Sequence, residues 1–192
     1  FSCGEGGALL INDENYIERA EIIREKGTDR SKFFKGEKDG YTWVDIGSSY
    51  LPSDLLAAFL YGQLEQKEKV QIKRKKIWEA YYVGLMEWAD ENNVGLPFIA
   101  DDCEHPYHMF YLLFQSEDLK NRFLKYMNKN GVNAIFHYLP LHISTMGKKF
   151  GKFDCPVTES VAKRIVRLPF WTGLEQYQDG VIDKITQSFH HG

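Results

Sequence analysis

Residues 45–64 read DIGSSYLPSDLLAAFLYGQL, and the organisation of the whole chain turns on this stretch. Gly47, Ser48 and Ser49 make a small, hydroxyl-bearing turn. Pro52 then precedes Ser53, a residue whose side-chain oxygen can cap a helix, and Asp54 sits in the first turn, where the helix dipole favours an acid. Leu55, Leu56, Ala58, Phe59, Leu60 and Leu64 are too densely apolar for a surface helix, whereas the continuation keeps only a stripe through Val70, Ile77, Tyr81, Leu85 and Trp88. The spacing predicts one long helix over residues 53–91, with one end buried in a domain or subunit contact and the other leading away. A glycine-and-hydroxyl turn beside a helix start presents free backbone donors that favour an anion such as a phosphate; the plainer alternative is that Ser53 only caps its helix.

Upstream, Gly4, Gly6 and Gly7 surround Glu5 and precede the apolar run of residues 8–11, which predicts a tight turn feeding a strand. Asn12 or Asp13 can cap a short helix striped by Ile17, Ala20 and Ile23 and ended by Gly27. Residues 28–43, polar and glycine-punctuated, predict a long loop. Downstream, HMFYLLF (108–114) and AIFHYL (134–139) read as buried strands. They flank a helix over 116–131, capped by Ser116 and closed by Gly131. Thr158 can cap a further helix through Val161 and Ile165, and Val181, Ile182, Ile185 and Phe189 stripe a last one. This half predicts an open α+β domain of about 100 residues.

At 192 residues and 43% hydrophobic the chain can bury a real core. A net charge of −3 gives no general attraction to nucleic acid or anionic lipid. The basic residues Lys73, Arg74, Lys75 and Lys76 lie among acids on the solvated side of a striped helix, without the interleaved aromatic residues that single-strand binders use. No apolar stretch approaches the roughly 18 to 20 residues that span a bilayer, and no charged-then-apolar leader opens the chain, so neither nucleic acid nor membrane is an expected partner and the cytoplasm is the expected location. Cys3, Cys103 and Cys155 are odd in number and lack a CxxC pair, which points to free thiols and no metal site.

No phosphate loop, metal motif or nucleophile elbow is present. The remaining chemistry lies in GEGG (4–7), the 45–54 turn and FHYLPLH (136–142), where Pro140 stops a strand beside His137, Tyr138 and His142. Polar rings at a strand end suit a ligand mouth; the structural alternative is one buried, hydrogen-bonded histidine and one exposed.

GEGGALLIND (4–13), REKGTDRSKFF (24–34), YTWVDIGSSYLPSDLLAAFLYGQLE (41–65) and FHYLPLH, in this order and over nearly the whole chain, resemble the sugar aminotransferases of the DegT/DnrJ/EryC1/StrS family. The resemblance implies an α/β fold class: the C-terminal half of a fold-type I transferase dependent on pyridoxal 5'-phosphate (PLP). Residues 1–52 would be the tail of the large cofactor domain, 53–91 a connecting helix and 92–192 the small α+β domain. It implies that the Schiff-base lysine falls just upstream of Phe1, so that no catalytic residue is expected within the chain. The implied reaction moves an amino group from L-glutamate to a dTDP-4-keto-6-deoxy hexose, in a homodimer whose cofactor contacts cross the interface and which includes the missing N-terminal half of the same protein.

The family commonly writes GYNYRMSD before the long helix, its asparagine reaching the PLP phosphate of the other subunit. Here Ser49 stands in that asparagine's place, Leu51 replaces the arginine, and Gly47, Tyr50, Ser53 and Asp54 match. The resemblance therefore makes Ser49 and Tyr50 cofactor-binding, and His137, Tyr138 and His142, with His108 and Arg30, the sugar-nucleotide side of the cleft. A non-catalytic sugar-nucleotide-binding or regulatory relative is the competing expectation.

Overall fold

The computed structural model describes residues 1–189, whose contacts gather into two units, Phe1–Lys67 and a second from Glu68 onward. In the first unit, the strand expected over residues 8–11 does not form: Leu9 is 75% and Leu10 86% exposed, and no described residue offers them a ladder partner. An isolated apolar run cannot satisfy its backbone as a strand, which is why the segment stays irregular. The Asp13 carboxylate accepts the Asn15 N–H at 3.0 Å and opens a single 3-10 turn, Glu14–Tyr16, followed by helix α1 (Ile17–Arg24). The segment expected to be a loop contains helix α2 (Arg30–Phe34) and is pinned by single bridges between Thr28 and Trp43 and between Glu25 and Ser49.

Ser53 caps helix α3 (Asp54–Glu65) by accepting the Leu56 N–H at 3.4 Å. The single helix expected over 53–91 is two helices: at Gln66 the backbone leaves helical dihedrals (φ −101°, ψ 11°) before α4 (Lys67–Glu91) begins. The break coincides with the change from dense apolar composition to a stripe. Within the described residues α3 leaves Leu55, Phe59 and Tyr61 exposed.

The second unit is built on the α4 stripe, which buries Ile77, Trp78, Tyr81, Leu85 and Trp88. Strand β1 (Tyr111–Leu113), helix α5 (Glu117–Lys129) and strand β2 (Ile135–Phe136) follow, with Ser116 accepting the Leu119 N–H at 3.2 Å as the α5 cap. After a short helix α6 (Gly147–Phe150) come helix α7 (Pro156–Arg164), strand β3 (Ile165–Arg167) and helix α8 (Gln178–Gln187). The sheet order is β1-β3-β2 with both pairs antiparallel, so the strand last in sequence is central and separates the two strands that flank α5.

Three sequence expectations need correction here. Residues 134–139 do not form a buried strand: β2 spans only Ile135–Phe136, and both are exposed. Helix α7 opens with Pro156 at its first turn and has no side-chain cap from Thr158, which lies inside it. It also stops at Arg164, because Ile165 pairs with Leu113 and is buried in the sheet, where a β-branched residue packs well. The core joins the α4 stripe to Phe110, Leu112 and Phe114 around β1, to Phe123 and Met127 of α5, to Val166 of β3 and to Val181 and Ile185 of α8.

Candidate functional site

Two separate regions carry the residues that the sequence singled out. In the first unit the 45–50 turn crosses the end of α1 at a backbone contact only glycines permit. A Cβ on Gly27 would lie 1.7 Å from the Asp45 carbonyl oxygen, and one on Gly47 would lie 2.2 Å from the Gly27 nitrogen. Gly27 also has φ +78°, a conformation that costs other residues about 1–2 kcal/mol. The Val44 and Asp45 N–H groups both donate to the Gly27 carbonyl, at 2.8 and 2.9 Å. Ser48 N–H donates to Ile23 O (3.0 Å), Lys26 N–H to Ser48 O (3.1 Å) and Tyr50 N–H to Arg24 O (3.2 Å). Asp45 further pairs with Arg19.

This frame fixes the backbone of residues 48–50 while leaving the Ser49 and Tyr50 side chains exposed, their hydroxyls unpaired among the described residues. Their chemistry fits one flank of a phosphate: a hydroxyl donates one hydrogen bond, and Leu51 supplies no charge. Such a turn by itself is not a complete phosphate site.

Arg30, on the same unit, lies with its guanidinium 4.8 Å from the Phe34 ring centroid, 5.7 Å from that of Tyr41 and 4.0 Å from the Glu25 carboxylate. Stacking and the acid hold it in place, and its Nε is shut off from solvent without a hydrogen-bond partner. Beside it, Asp29 is buried; the Lys38 ammonium and then the Thr42 N–H, at 2.7 Å, hold its carboxyl below the usual range.

The second region lies at the Arg167 end of the small sheet. Arg167 pairs in register with Tyr111 on one side and Ile135 on the other, and its guanidinium carbon sits 5.2 Å from the Tyr138 ring centroid. Tyr138 has φ +51°, strained for an aromatic residue, and its ring lies 5.2 Å from that of His137. His137 Nδ1 and Arg167 Nε are both buried without a hydrogen-bond partner, each an arrangement that costs about 1–3 kcal/mol when left unsatisfied. Burial, the Arg167 charge and His108 all push the His137 pKa down, so its neutral form is favoured. Burial and His108 act likewise on His105, whose Nδ1 accepts the Tyr107 N–H at 3.0 Å.

The structure thus gathers His137 and Tyr138 with Arg167, and His108 is close enough for its charge to act on His137. It does not bring His142 into this group: His142 is half-buried, with Nε2 3.1 Å from the Glu159 carboxylate. Arg167 escaped the sequence reading; a lone cation inside IVRLPF was the available signal. Two concavities on this unit, one of about 360 Å3 beside Pro156 and Glu159 and one of about 560 Å3 beside Asn133, Trp171 and Lys184, contain none of the expected site residues. Among the described residues no cluster of histidine, cysteine and acids could hold a metal, and the three cysteines are free.

The family model for DegT/DnrJ/EryC1/StrS aminotransferases matches residues 1–186. The chain belongs to this family. This DegT-family chain is 26% identical over 188 residues to the dTDP-3-amino-3,4,6-trideoxy-alpha-D-glucose transaminase of Streptomyces venezuelae, covering 96% of itself and 46% of that protein. It is 27% identical over 194 residues to a pleiotropic regulatory protein of Geobacillus stearothermophilus, covering 98% and 48%. It spans about half the length of the curated relatives it matches. Its fold matches that of a putative sugar aminotransferase of Streptococcus pneumoniae solved in its PLP form, at TM-score 0.72 and 20% identity, over 94% of this chain and 45% of that one. The fold likewise matches the aminotransferase TlmJ from Streptoalloteichus hindustanus and Helicobacter pylori PseC, an aminotransferase involved in pseudoaminic acid biosynthesis, each at TM-score 0.77 and 18% identity. No helix among the described residues is long and apolar enough to cross a membrane.

Proposed function

We propose that the protein carrying this chain is a cytoplasmic, PLP-dependent aminotransferase that moves an amino group from L-glutamate to a dTDP-4-keto-6-deoxy hexose, yielding dTDP-4-amino-4,6-dideoxygalactose. The observation that carries the reading is the family match over residues 1–186, joined to a turn whose glycine crossing holds Ser49 and Tyr50 outward. PLP, when bound, supplies the electron sink and carries the amino group. In this reading the chain's own residues bind and orient. Ser49 donates a hydrogen bond to the phosphate in the other subunit of a homodimer, and Tyr50 forms a neighbouring wall. In this reading His137, Tyr138, His108 and His142 of the second unit contact the sugar nucleotide, and Arg30 is the candidate contact on the first unit. The proton-moving lysine belongs immediately upstream of Phe1, and residues 1–52, 53–91 and 92–192 serve as large-domain tail, connector and small domain.

The test is product analysis with the complete polypeptide, PLP, L-glutamate and the keto sugar nucleotide. The expected outcome is 2-oxoglutarate together with an amino sugar of galacto configuration at C4 by NMR. Absence of any amino sugar, with sugar-nucleotide binding retained, would replace this reading by the second one: a non-catalytic or regulatory relative. That alternative draws its support from the regulatory protein among the relatives.

A further inference from the structure

A guanidinium buried among protein groups ordinarily meets a carboxylate or a carbonyl. The guanidinium of half-buried Arg167 meets neither: among the described residues it makes no ion pair and no hydrogen bond, and its Nε is closed to solvent. Its position is nonetheless fixed. The central strand places it between Tyr111 and Ile135 in register, and the Tyr138 face lies under the guanidinium carbon at 5.2 Å. Next to it stands His137, whose ring contacts Tyr138 and whose Nδ1 is likewise buried and unpartnered. Tyr138 adopts the left-handed φ of +51° that lets it stack beneath Arg167, a conformation an aromatic residue does not take for its own benefit.

We propose that Arg167 and His137 form an oxyanion-binding pair for a substrate, and that the oxyanion is the diphosphate of the nucleotide sugar. This deepens, and rests on, the aminotransferase reading. The chemistry follows from the donors present. With Nε closed to solvent, the guanidinium offers its two terminal nitrogens, unpaired among the described residues, to two oxygens of one phosphate. His137 adds a second donor at the end of a different strand, through the ring nitrogen other than its solvent-closed Nδ1. Donors on separate residues match the several oxygens of a diphosphate better than the two of a single carboxylate. The same fork would accept the carboxylate of an amino donor, so binding measurements must separate the two sources.

The experiment is calorimetric titration of the complete polypeptide, loaded with PLP, with inorganic pyrophosphate, with dTDP and with L-glutamate, in wild type, R167K and R167Q. Thermal unfolding of each variant checks that it folds. R167Q is expected to weaken pyrophosphate and dTDP binding about 10-fold or more, with R167K recovering part of the loss, since one charge-assisted bidentate contact is removed. L-glutamate binding is expected to stay unchanged. A loss confined to L-glutamate would keep the oxyanion pair and assign it to the donor carboxylate. Anion binding within about twofold of wild type in folded R167Q would overturn the pair. Transaminase activity with no Arg167-dependent anion binding would sink this inference and leave the proposed function standing. Arg167-dependent binding without transamination would do the reverse.

Discussion

The two units of the chain are held in different ways. From Glu68 onward a single cluster of buried apolar side chains joins α4, the sheet, α5 and α8. Between Phe1 and Lys67, by contrast, the only buried described residues are Glu25, Gly27 and Asp29, and they all lie at the glycine crossing. Large apolar side chains such as Leu10, Ile46 and Leu55 remain more than four-fifths exposed there (86%, 82% and 83%). One unit is organised by the hydrophobic effect, which is proportional to area and tolerant of detail. Within the described residues of a chain that spans about half its curated relatives' length, the other is held by backbone hydrogen bonds, ion pairs and one close approach, which are local and unforgiving.

The largest effects should fall where that contrast is sharpest. Phe114→Ala removes a fully buried ring that packs 4.9 Å from Phe123, and should cost about 3–5 kcal/mol in denaturant unfolding. Leu55→Ala, on an 83% exposed residue, should cost under about 0.5 kcal/mol in the polypeptide of residues 1–192 taken alone. Comparable losses for the two would erase the distinction. In the first unit the vulnerable position is Gly27. Gly27→Ala combines a disfavoured φ with a clash against the Asp45 carbonyl, and should cost about 2–4 kcal/mol. Its signature would be lost hydrogen-exchange protection of the Val44 and Asp45 amides, with Phe114 and its neighbours unaffected.

A smaller effect probes polar satisfaction inside the apolar core. Tyr81 is buried and donates its hydroxyl to the Pro169 carbonyl at 3.0 Å, and burial pushes its phenol pKa well up. Tyr81→Phe should cost about 1 kcal/mol by chemical denaturation; a neutral result would show that the bond contributes little beyond packing. Smallest of all is a pH effect. Because the folded-state pKa of His137 is depressed, by burial first and then by Arg167 and His108, the unfolded chain binds the proton more readily. The stability so contributed is complete above about pH 6.5 and declines as pH falls below it. His137→Asn should flatten that decline, and an unchanged stability profile from pH 7 to 5 would show that His137 plays no part in it.

Much of this fold was legible in the residues because the signals were local. The caps at Ser53 and Ser116 form as their side chains dictate, and Ile77, Tyr81, Leu85 and Trp88 are buried as their spacing requires. Residues 8–11 looked like a strand because apolar runs do, yet a strand exists only with a partner. Strand β3 was absorbed into the preceding helix because three residues carry too little periodicity to separate the two. Gly27 was legible as a helix end, but its crossing with Gly47 depends on two segments about twenty residues apart meeting in space. At the candidate site, His137 and Tyr138 were visible as neighbours in sequence. Arg167 was not, since its place beside them is set by the pairing of β2 with β3. The separation of His142 from them follows from its contact with Glu159 of α7, seventeen residues on.

The most direct measurement is borohydride reduction of the complete protein with PLP, followed by peptide mapping of the labelled lysine. If these residues line a cofactor pocket completed by preceding polypeptide, one lysine immediately before Phe1 should carry the label, and the polypeptide of residues 1–192 alone should carry none. A label on a unique lysine within residues 1–192, or none anywhere in a protein saturated with PLP, would contradict it.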